Sequence, residues 1–127
     1  MVTADQLVAH AVGDYIIQSH WMATEKTKRS VAAGVHAVTY ALPFLLLKPS
    51  LLALAVIIGT HFVIDRWRLA KWVVGFKNKM LCPPTAVPRL TPTGSPWETP
   101  DYLAVWLLII ADNVLHVLIN AAALCWL

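Results

Sequence analysis

The stretch Leu51-Leu-Ala-Leu-Ala-Val-Ile-Ile-Gly-Thr-His61-Phe-Val-Ile-Asp65-Arg-Trp67 decides how the chain is read. It is a run of aliphatic residues interrupted by one imidazole and one carboxylate, four positions apart. On a helix that spacing puts both groups on one face. The pairing recurs at His10/Asp14 and, in reverse order, at Asp112/His116, and a fourth apolar stretch carries His36. Ionisable groups are costly in such segments, so their default reading is a buried functional site. Imidazole plus carboxylate is also a ligand set suited to a divalent transition metal.

Composition sets the surroundings of these pairs. The 127 residues suffice for a single domain, are 58% hydrophobic and only 13% charged, and have a mean hydropathy of +0.63. Soluble domains carry roughly twice that charge. The chain therefore reads as one all-α integral membrane domain over residues 1–127, a four-helix bundle with a basic interfacial segment and a proline-rich loop. The apolar helices are expected at residues 3–23, 31–47, 51–76 and 101–127, each about the length of a bilayer crossing. The first is the most polar and can cross lipid only if its polar groups face other helices. Gly13, Gly34 and Gly59 are expected to let helices approach closely. Lys48-Pro49-Ser50 is a tight turn. Residues 77–100, with Pro83, Pro84, Pro88, Pro92, Pro96 and Pro100, read as one long irregular loop. The N-terminus lacks the basic region of a signal peptide.

Charge placement gives orientation. Lys26, Lys28 and Arg29 occupy the first connection, and Arg66, Arg68, Lys71, Lys77, Lys79 and Arg89 the third, whereas the second holds only Lys48. Basic connections stay in the cytoplasm, so both termini are expected on the opposite side of a bacterial inner membrane. Cys82 and Cys125 then lie on opposite faces and do not pair. Trp67, Trp72 and Phe76 among the basic residues suit the headgroup layer. Arg66, Arg68 and Lys71 are candidates to hold a substrate phosphate. The positive-inside bias already accounts for the net charge of +3, which argues against nucleic acid as a partner.

Depth links the pairs. Counted from the cytoplasmic end of each segment, Asp14, His36, Asp65 and Asp112 lie about six to eleven residues in, a spread under roughly 8 Å at helical rise. Four helices can thus aim at one layer. The candidate metal ligands are His10, Asp14, His36, His61, Asp65, Asp112 and His116, with Gln18, Tyr40, Asn113 and Asn120 as hydrogen-bonding support. Seven ligands exceed one tetrahedral site and suit two adjacent ions, zinc first, with manganese or iron as alternatives. Such a pair acidifies a water and polarises a phosphoryl oxygen, with Asp14, Asp65 or Asp112 in the catalytic role.

The run His10-Ala-Val-Gly13-Asp14-Tyr-Ile-Ile-Gln18-Ser-His-Trp21-Met-Ala23, with His36 and Tyr40, His61-Phe-Val-Ile-Asp65-Arg-Trp67, and Asp112 with His116, resembles an integral-membrane family of bacteria and their phages, domain of unknown function 3307. The resemblance covers all but the proline-rich loop and implies no particular activity. A weaker likeness of His-x-x-x-Asp spacing to helical zinc-dependent phospholipases C, single-strand nucleases and membrane-bound metal-dependent hydrolases implies phosphoester hydrolysis.

The leading expectation is a membrane-embedded, metal-dependent phosphoester hydrolase, acting on a lipid headgroup or nucleotide-like substrate. Its partners are the bilayer, an anionic phosphate-bearing substrate and, as an open reading, further copies of the chain. A metal-ion or proton carrier is the first alternative, because intramembrane His and Asp also line proton relays. A non-enzymatic membrane interaction protein is the second.

Overall fold

A computed structural model describes residues 1–83 and 89–127. The described residues form six α-helices and no β-strand. They are α1 (Ala4–Ala11), α2 (His20–Glu25), α3 (Ser30–Ala41), α4 (Leu51–Trp67), α5 (Ala70–Met80) and α6 (Asp101–Trp126). A π-helical turn, Val12–Ile17, continues α1, and a 3-10 turn, Leu42–Leu47, continues α3.

Local chemistry explains the boundaries. The Thr3 and Ser19 hydroxyls accept from the backbone N–H of Gln6 and Met22 and so cap α1 and α2. Pro43, lacking an N–H, turns α3 from α-helical to 3-10 winding. Left-handed Lys48 (φ 52°) then ends it, and the Ser50 hydroxyl accepts from Ala53 N at 3.0 Å to start α4.

The chain divides into two compact units. The first comprises Met1–Trp67 and Leu115–Leu127. In it α3 packs along α4, and α1 and the π turn pack against α3 and its 3-10 extension. Gly13 makes one of these approaches feasible: a Cβ there would lie 2.6 Å from Tyr40 Cδ2 and 2.7 Å from Tyr40 O. A Cβ at Gly34 or Gly59 meets nothing within 4 Å, so the close approach expected at those two glycines is absent.

The second unit is Arg68–Val114. Its residues 89–99 are more ordered than an irregular loop: Thr91 N donates to Ser95 O (2.8 Å) and Trp97 N to Arg89 O (3.0 Å). Asn78 Nδ2 staples this turn to α5 by donating to Gly94 O (2.9 Å). Gly94 sits at φ +84°, and a Cβ there would overlap the Lys71 carbonyl oxygen. Pro84 and Pro88, also expected in the loop, lie outside the described residues.

Four unbroken crossings are not what the chain forms. Among the described residues two segments are long and apolar enough to cross a membrane, Ser30–Leu47 and Asp101–Trp126. The expected helix at 3–23 breaks after the π turn, where Gln18 turns extended (ψ 113°). The expected helix at 51–76 breaks at Arg68, whose φ of 50° stops α4 at Trp67. α5 then begins at Ala70 and runs to Met80, four residues past the expected end and into the stretch expected as an irregular loop. Neither break is marked by a glycine or a proline, so the sequence does not announce either.

The first unit buries polar groups beside its apolar core and leaves many aliphatic side chains exposed. Gln6, His10, Asp14, His36, His61, Asp65, His116 and Asn120 are buried, while Val31, Val38, Leu42, Leu46, Leu51 and Leu52 are exposed. Beneath the polar layer lies a small apolar cluster of Ala9, Tyr40, Phe44, Ala53, Ile57 and Ala123.

Candidate metal centre

Four segments of the first unit deliver the polar groups. The π turn presents Asp14, α3 presents His36 and Tyr40, α4 presents His61 and Asp65, and the last part of α6 presents His116 and Asn120. The π turn matters because its wider winding changes the direction of Asp14 relative to His10; such turns recur at functional sites.

Two triads of ligand atoms result, with donors inside each lying within 4.8 Å of one another. Asp14, His36 and His61 form the first. His36 Nε2 lies 3.2 Å from Asp14 Oδ1, and His61 Nε2 lies 3.5 Å from Asp14 Oδ1 and 3.0 Å from His36 Nε2. His61, Asp65 and His116 form the second, with His61 Nε2 at 3.1 Å from Asp65 Oδ2 and His116 Nε2 at 3.7 Å from Asp65 Oδ1. His61 belongs to both triads through the same Nε2 atom, whose single lone pair serves one ion, so the triads overlap as alternatives and are not two sites filled at once. His36 Nε2 also lies 3.1 Å from Asp65 Oδ2.

The donor spacing fits small divalent ions. Bonds of about 2.0–2.1 Å in a tetrahedron place donors about 3.3 Å apart. The edges of the first triad, 3.0 to 3.5 Å, bracket that value. Three donors leave a fourth position open, as catalytic sites require. The donor chemistry agrees: His36 Nε2 and His61 Nε2 face each other, and a cation between two imidazole lone pairs satisfies both at once. One feature departs from established metal sites. The far nitrogens, His36 Nδ1 and His61 Nδ1, are buried without a hydrogen-bond partner among the described residues, whereas ligand imidazoles usually donate from that atom.

Tyr40 organises the floor. Its ring stacks on His61, and its hydroxyl receives a hydrogen bond from Asn120 Nδ2 and lies 2.8 Å from His10 Nδ1. His10 Nδ1 also lies 3.4 Å from Asp14 Oδ2. His10 is thus in neither triad and flanks Asp14 instead.

Neither triad includes the remaining expected site residues. Asp112 is in neither triad and belongs to the second unit, as do Arg68 and Lys71. Arg66 is held by the link after α2, with Nη1 donating to Thr27 O (2.8 Å) and Nε to Ser30 Oγ (3.2 Å). Asn113 Nδ2 donates to Ile109 O within α6. Gln18 Oε1 is buried without a hydrogen-bond partner among the described residues.

One residue was not singled out by its sequence position. Lys26 Nζ donates to Asp65 Oδ2 at 2.9 Å and lies 3.3 Å from His36 Nε2. In sequence it reads as one of three basic residues in a cytoplasmic link, and only its proximity to the end of the first polar segment hints at more.

No curated protein and no solved structure matches the chain. One family does, described as protein of unknown function (DUF3307), and its match spans residues 2–127, nearly the whole length bearing these two triads. The chain therefore belongs to the DUF3307 family.

Proposed function

We propose that the protein is a membrane-embedded, metal-dependent hydrolase of a phosphoester, with a divalent ion held by His61 together with donors drawn from Asp14, His36, Asp65 and His116. The observation that carries this reading is the sharing of His61 between two buried triads of metal-ligand spacing. The bound ion would supply Lewis acidity toward a phosphoryl oxygen and acidify a water. The chain's own groups hold and orient. His10 and His36 contact opposite oxygens of Asp14, which fixes that carboxylate for ligation or proton transfer. Asp14 is also the more exposed of the two acids, at 11% of its side chain against 4% for Asp65, so substrate approaches from the Asp14 side.

The buried polar cluster together with the many exposed aliphatic side chains supports placement in a bilayer, with Ser30–Leu47 and Asp101–Trp126 as crossing segments. On this reading α4 returns across beside α3, as Arg66 at its end reaching Thr27 O and Ser30 Oγ supports, so both basic connections face the cytoplasm. Metal analysis of the detergent-purified protein, paired with phosphoesterase assays before and after chelation, tests the proposal. Stoichiometric zinc, manganese or iron and chelator-sensitive turnover are expected. Absence of metal in protein purified without chelator, and failure to take it up, refute it.

A proton or ion pathway is the second reading. It is favoured by the buried polar string from Asn120 through Tyr40 to His10 and Asp14. Flux in liposomes without turnover selects it.

A further inference from the structure

Lys26 approaches the metal cluster as an ion would. Its ammonium engages Asp65 Oδ2 and His36 Nε2, at 2.9 and 3.3 Å. Both atoms also face His61 Nε2, at 3.1 and 3.0 Å. An ammonium donates hydrogen bonds and accepts none, so the lone pairs it uses on Asp65 and His36 are those a divalent ion needs. One positive charge and one Lewis acid compete for the same donors. The lysine arrives on a flexible four-carbon stem from the end of α2. Its backbone neighbour is pinned separately, because Arg66 grips Thr27 O and Ser30 Oγ. The ammonium can therefore withdraw without moving the link. Its side chain is already 18% exposed, so it has a solvent-side path out of the cluster.

We propose that Lys26 is the resident counter-cation of the ion-free cluster. It yields Asp65 and His36 to a divalent ion, and its released ammonium then binds the anionic phosphate of the substrate. This rests on the metal-site reading above and adds to it a built-in competitor that sets metal affinity and a positioning group for phosphate. The link's other cations do not share the role. Lys28 and Arg29 pair with Glu25, at 3.1 and 3.4 Å, and have side chains that are mostly exposed.

The test is Zn2+ affinity of the full-length protein in detergent, by competition with a chromophoric chelator, in wild type, Lys26→Met and Lys26→Arg. Removing a charge this close to the donors should tighten Zn2+ binding by about tenfold or more in Lys26→Met. The Lys26→Arg variant, whose guanidinium is always charged and forks onto carboxylates, should bind Zn2+ more weakly than wild type. It keeps the charge pair with Asp65 and so guards against a Met variant that fails to fold. Inorganic phosphate should bind the zinc-loaded Met variant at least about tenfold more weakly than zinc-loaded wild type. A purely structural lysine gives the opposite metal result, because losing it loosens the cluster and weakens Zn2+ binding. Zn2+ affinity that is unchanged or weaker in folded Lys26→Met, or unchanged in Lys26→Arg, overturns the exchange while leaving wild-type metal binding intact. Unchanged phosphate affinity overturns the positioning role. If neither wild type nor variants bind Zn2+, the metal-site reading falls and the exchange with it.

Discussion

The imidazole of His61 stacks on the phenol ring of Tyr40, with centroids 3.6 Å apart and planes 17° from parallel. Tyr40 therefore both supports the residue shared by the two triads and, through its hydroxyl, ties in His10 and Asn120. Tyr40→Phe keeps the stack and removes the hydroxyl, leaving two buried polar partners to find others. A loss of about 1–3 kcal/mol is expected from the unsatisfied groups, with metal stoichiometry retained. Tyr40→Ala also removes the ring from a site with no exposed surface. A loss of about 3–5 kcal/mol is expected, together with weaker metal binding as His61 loses its support. Thermal unfolding in detergent and metal analysis distinguish the two variants. Equal metal affinity in Tyr40→Ala and wild type contradicts the supporting role.

Gly13 provides a second, purely steric prediction. An alanine methyl there collides with Tyr40's ring and carbonyl oxygen, and one of those atoms is backbone that cannot rotate away. Overpacking of this kind costs about 1–3 kcal/mol, and here it also displaces Asp14, the next residue. Gly34→Ala is the matched control: the same change, inside α3, with open space around the new methyl. It should stabilise the helix by up to about 1 kcal/mol. Comparable unfolding temperatures for the two variants contradict the packing described.

How much of this was readable beforehand follows from the residues themselves. The His-x-x-x-Asp spacing announces His61 and Asp65 because helical periodicity alone puts them on one face, and α4 does carry both into one triad. The helix interruptions were not readable. Arg68 takes a left-handed backbone although nothing in Arg66-Trp67-Arg68-Leu69 is a glycine or proline. The π turn at Val12–Ile17 replaces α-helical winding in a sequence whose apolar spacing suits either. That turn also changes the relation within the His10/Asp14 pair, leaving Asp14 in a triad and His10 beside it. Lys26 was illegible for another reason: its partners lie ten and thirty-nine residues away, and charge tallies treat it as interchangeable with Lys28.

On the proposed metal-site reading, the sharing of His61 makes ligand deletions unequal. His61→Ala removes a donor from both triads, whereas Asp14→Asn weakens only the first. Bound metal should fall toward none in the former and persist, more weakly held, in the latter, with turnover reduced at least about a hundredfold in each. Asp112→Asn should keep the full metal complement, since Asp112 belongs to neither triad. Atomic-emission analysis of the purified variants reads all three outcomes. Loss of metal from Asp112→Asn would mean that the ligand set extends beyond the two triads.

The two cysteines, neither in a disulfide, report on the proposed membrane orientation. Cys82 follows the basic stretch of Lys71, Lys77 and Lys79, and Cys125 lies in the last turn of α6. The 26 residues of α6 span about 39 Å at helical rise, enough for a hydrocarbon core of about 30 Å. If α6 crosses, the basic stretch marks the cytoplasmic face and Cys125 reaches the other. A membrane-impermeant maleimide added outside right-side-out vesicles should label Cys125 and spare Cys82. Inverted vesicles should reverse the pattern, with Cys82→Ser and Cys125→Ser variants assigning each signal. Labelling of both thiols from one side of sealed vesicles contradicts a crossing α6. The polar cluster would then need another explanation for its apolar exterior, such as burial against a protein partner.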